Sequence, residues 1–110
     1  MSKTQAELLQ GTLELLILKT LSLGPNHGWG IAQRIQQVSR DLFRVNQGSL
    51  YPALQRLKQK GCIDSHWGPS ENNRRAKFYT LTAAGESRLE AATSHWEDVS
   101  AAITRILALS

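Results

Sequence analysis

Few residues in this chain are of types that perform catalysis, and their spacing does not assemble them. His27, His66 and His95 are far apart, and Cys62 adjoins a helix end in an apolar setting. No pair of carboxylates stands out for acid–base work. The G-x-S-x-G elbow, the Walker A loop and the G-x-G-x-x-G turn are all missing, and the histidines and cysteine do not fall at zinc-finger spacing. An enzyme, a metal site and a bound cofactor are therefore not expected. The residues that could do chemistry are of another kind: Gln47, Ser49, Tyr51, Gln55 and Lys58 in one short segment, and Arg74, Arg75 and Lys77 in the next. Glutamine can pair bidentately with adenine, while Ser, Tyr, Lys and Arg suit phosphate contacts. Together they predict a surface that meets double-stranded DNA.

The charge distribution agrees. The 110 residues contain 13 Lys+Arg and 9 Asp+Glu, a net charge of +4. The excess is uneven: residues 1–81 hold 11 cations and 5 acids, whereas residues 82–110 hold Arg88 and Arg105 against Glu86, Glu90, Glu97 and Asp98. A positive body suits a polyanion, and the acidic tail implies a different task. At 41% hydrophobic and 20% charged residues the composition is globular. A lone cysteine fits a reducing cytoplasm, and no apolar run approaches the ~20 residues that span a bilayer. The N-terminal segment lacks the features of a secretory signal. A cytoplasmic location is the expectation, with no membrane partner.

The elements that must position these residues follow from periodicity. A leucine-rich helix is predicted over Gln5 to Leu23, with Thr4 and Glu7 at capping-box spacing, and Gly24-Pro25-Asn26 stops it. It is apolar on two faces, with Leu9, Leu13, Leu16, Thr20 and Leu23 on one and Leu8, Leu15 and Leu18 on another, which makes it central. A second helix opens at His27 or Gly28 and runs to about Ser39, with Trp29, Ile31, Ile35 and Val38 as its apolar positions. After a short extended piece, Leu42 to Val45, a third helix begins between Asn46 and Ser49 and runs to Lys60. Its Leu50, Leu54 and Leu57 recur at i, i+4 and i+7 and face the core. Ser49 as N-cap would put Pro52 in the first turn, where its missing N–H is harmless. That orientation turns Gly48, Gln55, Arg56 and Gln59 outward, with Tyr51 and Lys58 at the flank.

Cys62–Trp67 and Ala76–Leu81 alternate as strands, joined by a polar turn that ends in Arg74-Arg75. Trp67, Phe78 and Tyr79 are expected to pack the hairpin rather than to serve as stacking platforms for nucleic acid, since short strands must cover a small core. Thr82 caps a last helix running to the C-terminus. The fold class is thus mainly α with a small β-hairpin, a winged helix-turn-helix over residues 1–81 followed by a long dimerisation helix over residues 82–110. In that last helix Gly85, Leu89, Ala92, Trp96, Val99, Ile103, Ile106 and Ser110 alternate spacings of four and three, the repeat of a coiled-coil seam. Residues 82–110 would reach roughly 43 Å at 1.5 Å per residue, beyond what so small a body covers. The cheapest partner for the stripe is a second copy, with Leu89, Ala92, Trp96, Val99, Ile103 and Ile106 at the interface. Trp96 either fills space between the subunits or lines a ligand hole there.

These segments resemble a family. Gly11-Thr12-Leu13-Glu14-Leu15-Leu16-Ile17-Leu18, His27-Gly28-Trp29-Gly30 and Gln47-Gly48-Ser49-Leu50-Tyr51-Pro52-Ala53-Leu54-Gln55-Arg56-Leu57 are similar to the PadR-like transcriptional regulators. The likeness continues through Gly61-Cys62-Ile63, Lys77-Phe78-Tyr79-Thr80-Leu81-Thr82 and Gly85, with Trp29 where the family more often has tyrosine. It covers roughly residues 8–85, and the short ending resembles the compact branch of the family. The resemblance implies a dimeric repressor with Ser49 and Tyr51 on the recognition helix and Arg74, Arg75 and Lys77 in the wing. It also implies an effector, often a planar aromatic, held at Trp96 between the C-terminal helices. Two rivals follow from the residues: a dimeric winged-helix module that meets an acidic protein, and a small-molecule sensor acting at Trp96.

Overall fold

The computed structural model describes the backbone of residues 3–110 and the side chains of residues 12–110. Four helices and three strands follow in the order α1 (Lys3–Ser22), β1 (Asn26–His27), α2 (Gly28–Val38), α3 (Gln47–Gln59), β2 (Ile63–Pro69), β3 (Arg75–Leu81) and α4 (Ala83–Leu107). The capping box expected at Thr4 and Glu7 and the apolar positions Leu8 and Leu9 involve side chains outside the described residues. The core gathers Leu13, Ile17, Leu18 and Leu21 of α1, Ile31 and Ile35 of α2, and Leu50, Ala53, Leu54 and Leu57 of α3, closed by Cys62, Ile63 and Tyr79. Helix α1 touches α2, α3, α4 and β3, so it occupies the centre that its two apolar faces require. Leu23, placed on one of those faces by the sequence, is instead exposed, because the helix ends before it at Ser22.

Helices α2 and α3 form the helix-turn-helix. His27 caps α2 through Nδ1, which accepts the Gly30 N–H at 3.0 Å. At its other end Arg40 and Asp41 both adopt positive φ, +53° and +66°, and the Asp41 N–H closes on the Gln36 carbonyl at 2.9 Å. Leu42 to Val45, expected as an extended piece, forms no strand and leads directly into α3. Helix α3 starts earlier than Ser49: Asn46 is its N-cap, accepting the Ser49 N–H on Oδ1 at 2.9 Å. Pro52 therefore lies in the second turn, where the Gly48 carbonyl loses the donor it would otherwise meet. At the far end Gly61 takes φ +75°. The Cys62 N–H returns to the Leu57 carbonyl at 2.9 Å and the Gly61 N–H to that of Lys58 at 3.0 Å. This is a Schellman stop, which favours glycine at that position.

The sheet has three strands in the order β1-β3-β2, all antiparallel, one strand more than the hairpin expected. Strand β1 is only two residues, pairing Asn26 with Tyr79 and His27 with Phe78, and no alternating pattern marks so short a segment. The β2–β3 ladder runs from Ile63↔Leu81 to Pro69↔Arg75, so Arg75 is a strand residue and only Ser70 to Arg74 form the tip. Asn73 turns that tip with φ +59°, a conformation asparagine tolerates better than most side chains. The Ser70 N–H donates to the Arg74 carbonyl across it at 2.7 Å.

Thr82 caps α4 as expected, accepting the Gly85 N–H at 3.0 Å while its hydroxyl donates to the Gly61 carbonyl at 2.6 Å. A Cβ on Gly85 would collide with the carbonyl oxygen of Cys62, so glycine is required where α4 leaves the body. The helix ends at Leu107, which leaves Ser110 beyond the helical seam.

Candidate nucleic-acid interface

Burying Leu50, Ala53, Leu54 and Leu57 fixes which face of α3 looks outward. Gln47, Gly48, Ser49, Tyr51, Pro52 and Gln55 are all exposed on it, at the N-terminal end that helix-turn-helix proteins direct to base edges. The Asn46 cap engages the Ser49 backbone N–H and leaves its side chain at the exposed surface. Tyr51 is held against the start of α2, where a Cβ on Gly28 would lie 3.0 Å from the Tyr51 hydroxyl oxygen. Burial first, and then the neighbouring Tyr51, push the Tyr79 hydroxyl above its ordinary value.

The remaining cations of α3 are committed elsewhere. Lys58 donates from Nζ to Ser65 Oγ on β2 at 2.8 Å. Arg56 and Lys60 both reach Glu14 of α1, at 3.5 and 3.2 Å. Such exposed pairs contribute little stability individually. Their consequence is geometric: they tie the C-terminal half of α3 to α1 and β2 and leave its N-terminal half free to approach a ligand.

In the wing, Arg75 and Lys77 alternate onto the same face of β3 as Trp67, which stands directly across from Lys77 in the ladder. That face looks toward α3. The Arg75 guanidinium carbon lies over the Trp67 ring, 5.4 Å from its centroid. Arg74 sits apart from these, in the exposed turn. Tyr51, Gln55, Arg75 and Lys77 line a single groove of about 500 Å³ between α3 and the wing. Gln47 borders a second hollow of about 440 Å³ against α2. Of the eight residues expected to meet DNA, four therefore share one groove. Gln47, Ser49 and Arg74 are exposed outside its lining, and Lys58 turns toward the sheet.

Two residues of this surface whose sequence pattern predicts packing lie outside the core, Trp29 stacked on the His27 ring at 6.4 Å between centroids and Trp67 beneath Arg75. Trp29 is 61% exposed and lines both hollows; Trp67 is 58% exposed and lines the groove. The signal for Trp29 was available: two residues before Ile31, it stands about 200° from the buried face of α2. Trp67 shares the inward parity of Ile63 but lies beyond the end of the core, so its parity alone is misleading. Val38 is likewise exposed, at the overhanging end of α2. Phe78 and Tyr79 do pack, Phe78 between the rings of His27 and His66 at 5.4 and 5.9 Å and Tyr79 in the core. Cys62 is buried, as its apolar setting implied.

The C-terminal helix divides in two. Gly85 and Leu89 lie against the protein's own core, and Ala92 and Val99 are half-buried. Trp96, Ile103, Ile106 and Leu107 are exposed, at 47, 49, 64 and 79%. Among the described residues no cluster of His, Cys, Asp or Glu could hold a metal ion, and no helix is long and apolar enough to cross a membrane.

Three helices with a capped, outward-facing third member and a basic β-hairpin beside it define a winged helix-turn-helix, the architecture of a transcriptional regulator. Residues 17–91 match the model of the PadR-like family of transcriptional regulators, and the chain belongs to that family. Its structure is similar to that of a transcriptional regulator from Clostridium thermocellum. That match has a TM-score of 0.82 and 26% identity, covering 90% of this chain and 96% of the other. A PadR-like transcriptional regulator from Bacillus cereus matches at TM-score 0.82 and 26% identity, over 94% of this chain and 99% of its own. An uncharacterised protein from Lysinibacillus sphaericus is 25% identical over 95 residues, 86% of this chain and 87% of that protein.

Proposed function

We propose that this protein is a cytoplasmic, homodimeric repressor that reads a two-fold-related DNA operator. Residues 1–81 form the DNA-binding head and residues 82–110 the dimerisation helix. Gln47, Ser49, Tyr51 and Gln55 address the major groove from α3, while Arg74, Arg75 and Lys77 hold the backbone or minor groove from the wing. Lys58 contributes only by exchanging Ser65 for a phosphate. The observation that carries this reading is the shared groove: readout and phosphate-type side chains from two elements open onto the same exposed surface.

The exposed stripe of Trp96, Ile103 and Ile106 supports the dimer, since burying it against a second copy removes from water apolar surface that the body leaves uncovered. Leu89, Ala92 and Val99 would border that contact. An effector at Trp96, a small planar aromatic, would release DNA by favouring a head spacing that does not fit the operator.

Selection of bound duplexes from a random library, with affinity then measured across salt concentrations, tests the reading. The expected result is a two-fold-symmetric site with half-sites roughly 34–36 Å apart and a steep salt dependence. Weak binding indifferent to sequence would overturn it in favour of a protein-interaction module.

A further inference from the structure

The groove between α3 and the wing carries more aromatic surface than a duplex can use. Trp29, Tyr51 and Trp67 reach it from α2, α3 and β2, and they are 61, 45 and 58% exposed. Duplex DNA offers base edges in its grooves, and the faces of its bases are stacked inside. An indole directed at a duplex therefore finds sugar and phosphate but no ring to stack on. An unpaired base presents its face, and stacking on an aromatic side chain strengthens binding about tenfold or more per base.

The polar groups around these rings complete the chemistry. Arg75 lies over the Trp67 ring, and Lys77 faces that ring across the ladder, so cation and stacking surface are presented together. Gln55 lines the same groove with an amide that can both donate and accept. The volume of about 500 Å³ falls within the ~300–1,000 Å³ of small-ligand sites. A neutral aromatic would leave the cations unused, and an inorganic anion would leave the rings unused. An aryl carboxylate would give Gln55 no base edge to pair with. A nucleotide uses all three.

We infer that this groove is a nucleotide site, in which a base stacks against Trp67 and Trp29 while its phosphate is held by Arg75 and Lys77. The ligand is a single nucleotide unit, supplied either free or within an unpaired strand. The site does not depend on operator recognition, although its occupant would exclude a duplex from the same surface.

The test follows the three indole N–H signals by NMR, assigned by replacing each tryptophan with phenylalanine in turn. The probes are deoxyadenosine monophosphate, deoxyadenosine, 2-naphthoate and a single-stranded deoxyadenosine decamer. The monophosphate is expected to move the Trp29 and Trp67 signals and leave Trp96 unmoved. Deoxyadenosine, lacking the phosphate, should bind several-fold more weakly. Trp67→Ala should weaken monophosphate binding about tenfold at unchanged Tm, and Trp67→Phe should retain most of it. A decamer that binds far more tightly than the monophosphate identifies a strand as the source, and equal affinity per nucleotide identifies the free nucleotide; either supports the site. Trp29 and Trp67 signals unmoved at millimolar monophosphate, a shift at Trp96 alone, or 2-naphthoate binding as well as the monophosphate would overturn it. A duplex titration in the same samples reports on operator recognition separately, so failure of one reading is not failure of the other.

Discussion

The wing makes a quantitative claim that Arg74→Ala/Arg75→Ala can test. Arg74 stands in the exposed turn and Arg75 opens β3 on the face toward α3, so both can approach a phosphate without disturbing the core. The proposed dimer bearing the double substitution loses four cations. Each phosphate neutralised contributes about 0.9 to the slope of log affinity against log salt, so the slope should flatten by up to about 3.6. Near 0.15 M salt each such contact is worth about 0.7 log units, which sets a maximum loss of about a thousandfold. The measured loss should be smaller, because Arg75 already rests on the Trp67 ring, a contact worth about 0.5–1 kcal/mol at an exposed site. Leaving the ring offsets part of what Arg75 gains from a phosphate. The assay is fluorescence anisotropy over a salt series, on the selected site and on a scrambled duplex. Both affinities should fall together, whereas Gln55→Ala should relax sequence preference and leave the slope unchanged. An unaltered salt slope in the double variant would refute the proposed wing contact.

Four further outcomes follow from the same geometry. Gly85→Ala should cost several kcal/mol in urea denaturation or prevent folding, since the added Cβ meets the Cys62 carbonyl where α4 joins the body. Asn46→Ala should destabilise by about 1 kcal/mol by removing the α3 cap, and Asn46→Asp should restore it. If the proposed dimer forms through α4, Trp96→Glu/Ile103→Glu should convert it to monomer in sedimentation velocity, with circular dichroism retained; an unchanged sedimentation coefficient would count against the seam. Because burial and Tyr51 raise the folded-state value of Tyr79, stability is fully present below the unfolded tyrosine value near 10. It is then lost as pH rises from there through the raised folded value. Tyr79→Phe should abolish that alkaline loss, and Tyr51→Phe should reduce it.

Much of the fold was legible because its signals are local and repeated. Leu50, Leu54 and Leu57 recur at helical spacing and are all buried, so the outward face of α3 could be deduced before any contact was known. Thr82 precedes an apolar stripe and caps α4. What escaped depends on distant partners. Strand β1 is two residues whose pairing is supplied by Tyr79 and Phe78, some fifty residues on. The start of α3 was bounded only to Asn46–Ser49, and placing Pro52 in the first turn favoured Ser49 as the cap, whereas Asn46 holds that position. Tertiary packing keeps the helix despite a proline in its second turn. The engagement of Lys58 with Ser65 and of Arg56 with Glu14 likewise needs the positions of β2 and α1, which no spacing within α3 encodes. Trp67 follows the strand alternation correctly and still lies outside the core, because parity specifies a face and not how far the core extends beneath it.

The junction between α3 and α4 connects the two halves of the proposed function. The Schellman stop of α3 ends at Gly61 and Cys62, and the carbonyls of those two residues receive both donors of Thr82: the hydroxyl at 2.6 Å and the N–H at 3.0 Å. Gly85 then seats the first turn of α4 against the Cys62 backbone. The end of the reading helix and the start of the seam helix are thus one hydrogen-bonded joint, with no flexible linker between them. In the proposed dimer, a change in how the two copies of α4 cross must be transmitted through that joint. A swing of about 10° moves the far end of α3, roughly 20 Å away at 1.5 Å per residue, by about 3.5 Å. That displacement is about one base-pair step of a strand, enough to take Gln47 and Ser49 out of register with the bases they are proposed to face. On this proposal, a compound seated at Trp96 would need only to alter the crossing of the two helices to release both heads, without touching either proposed DNA-facing surface.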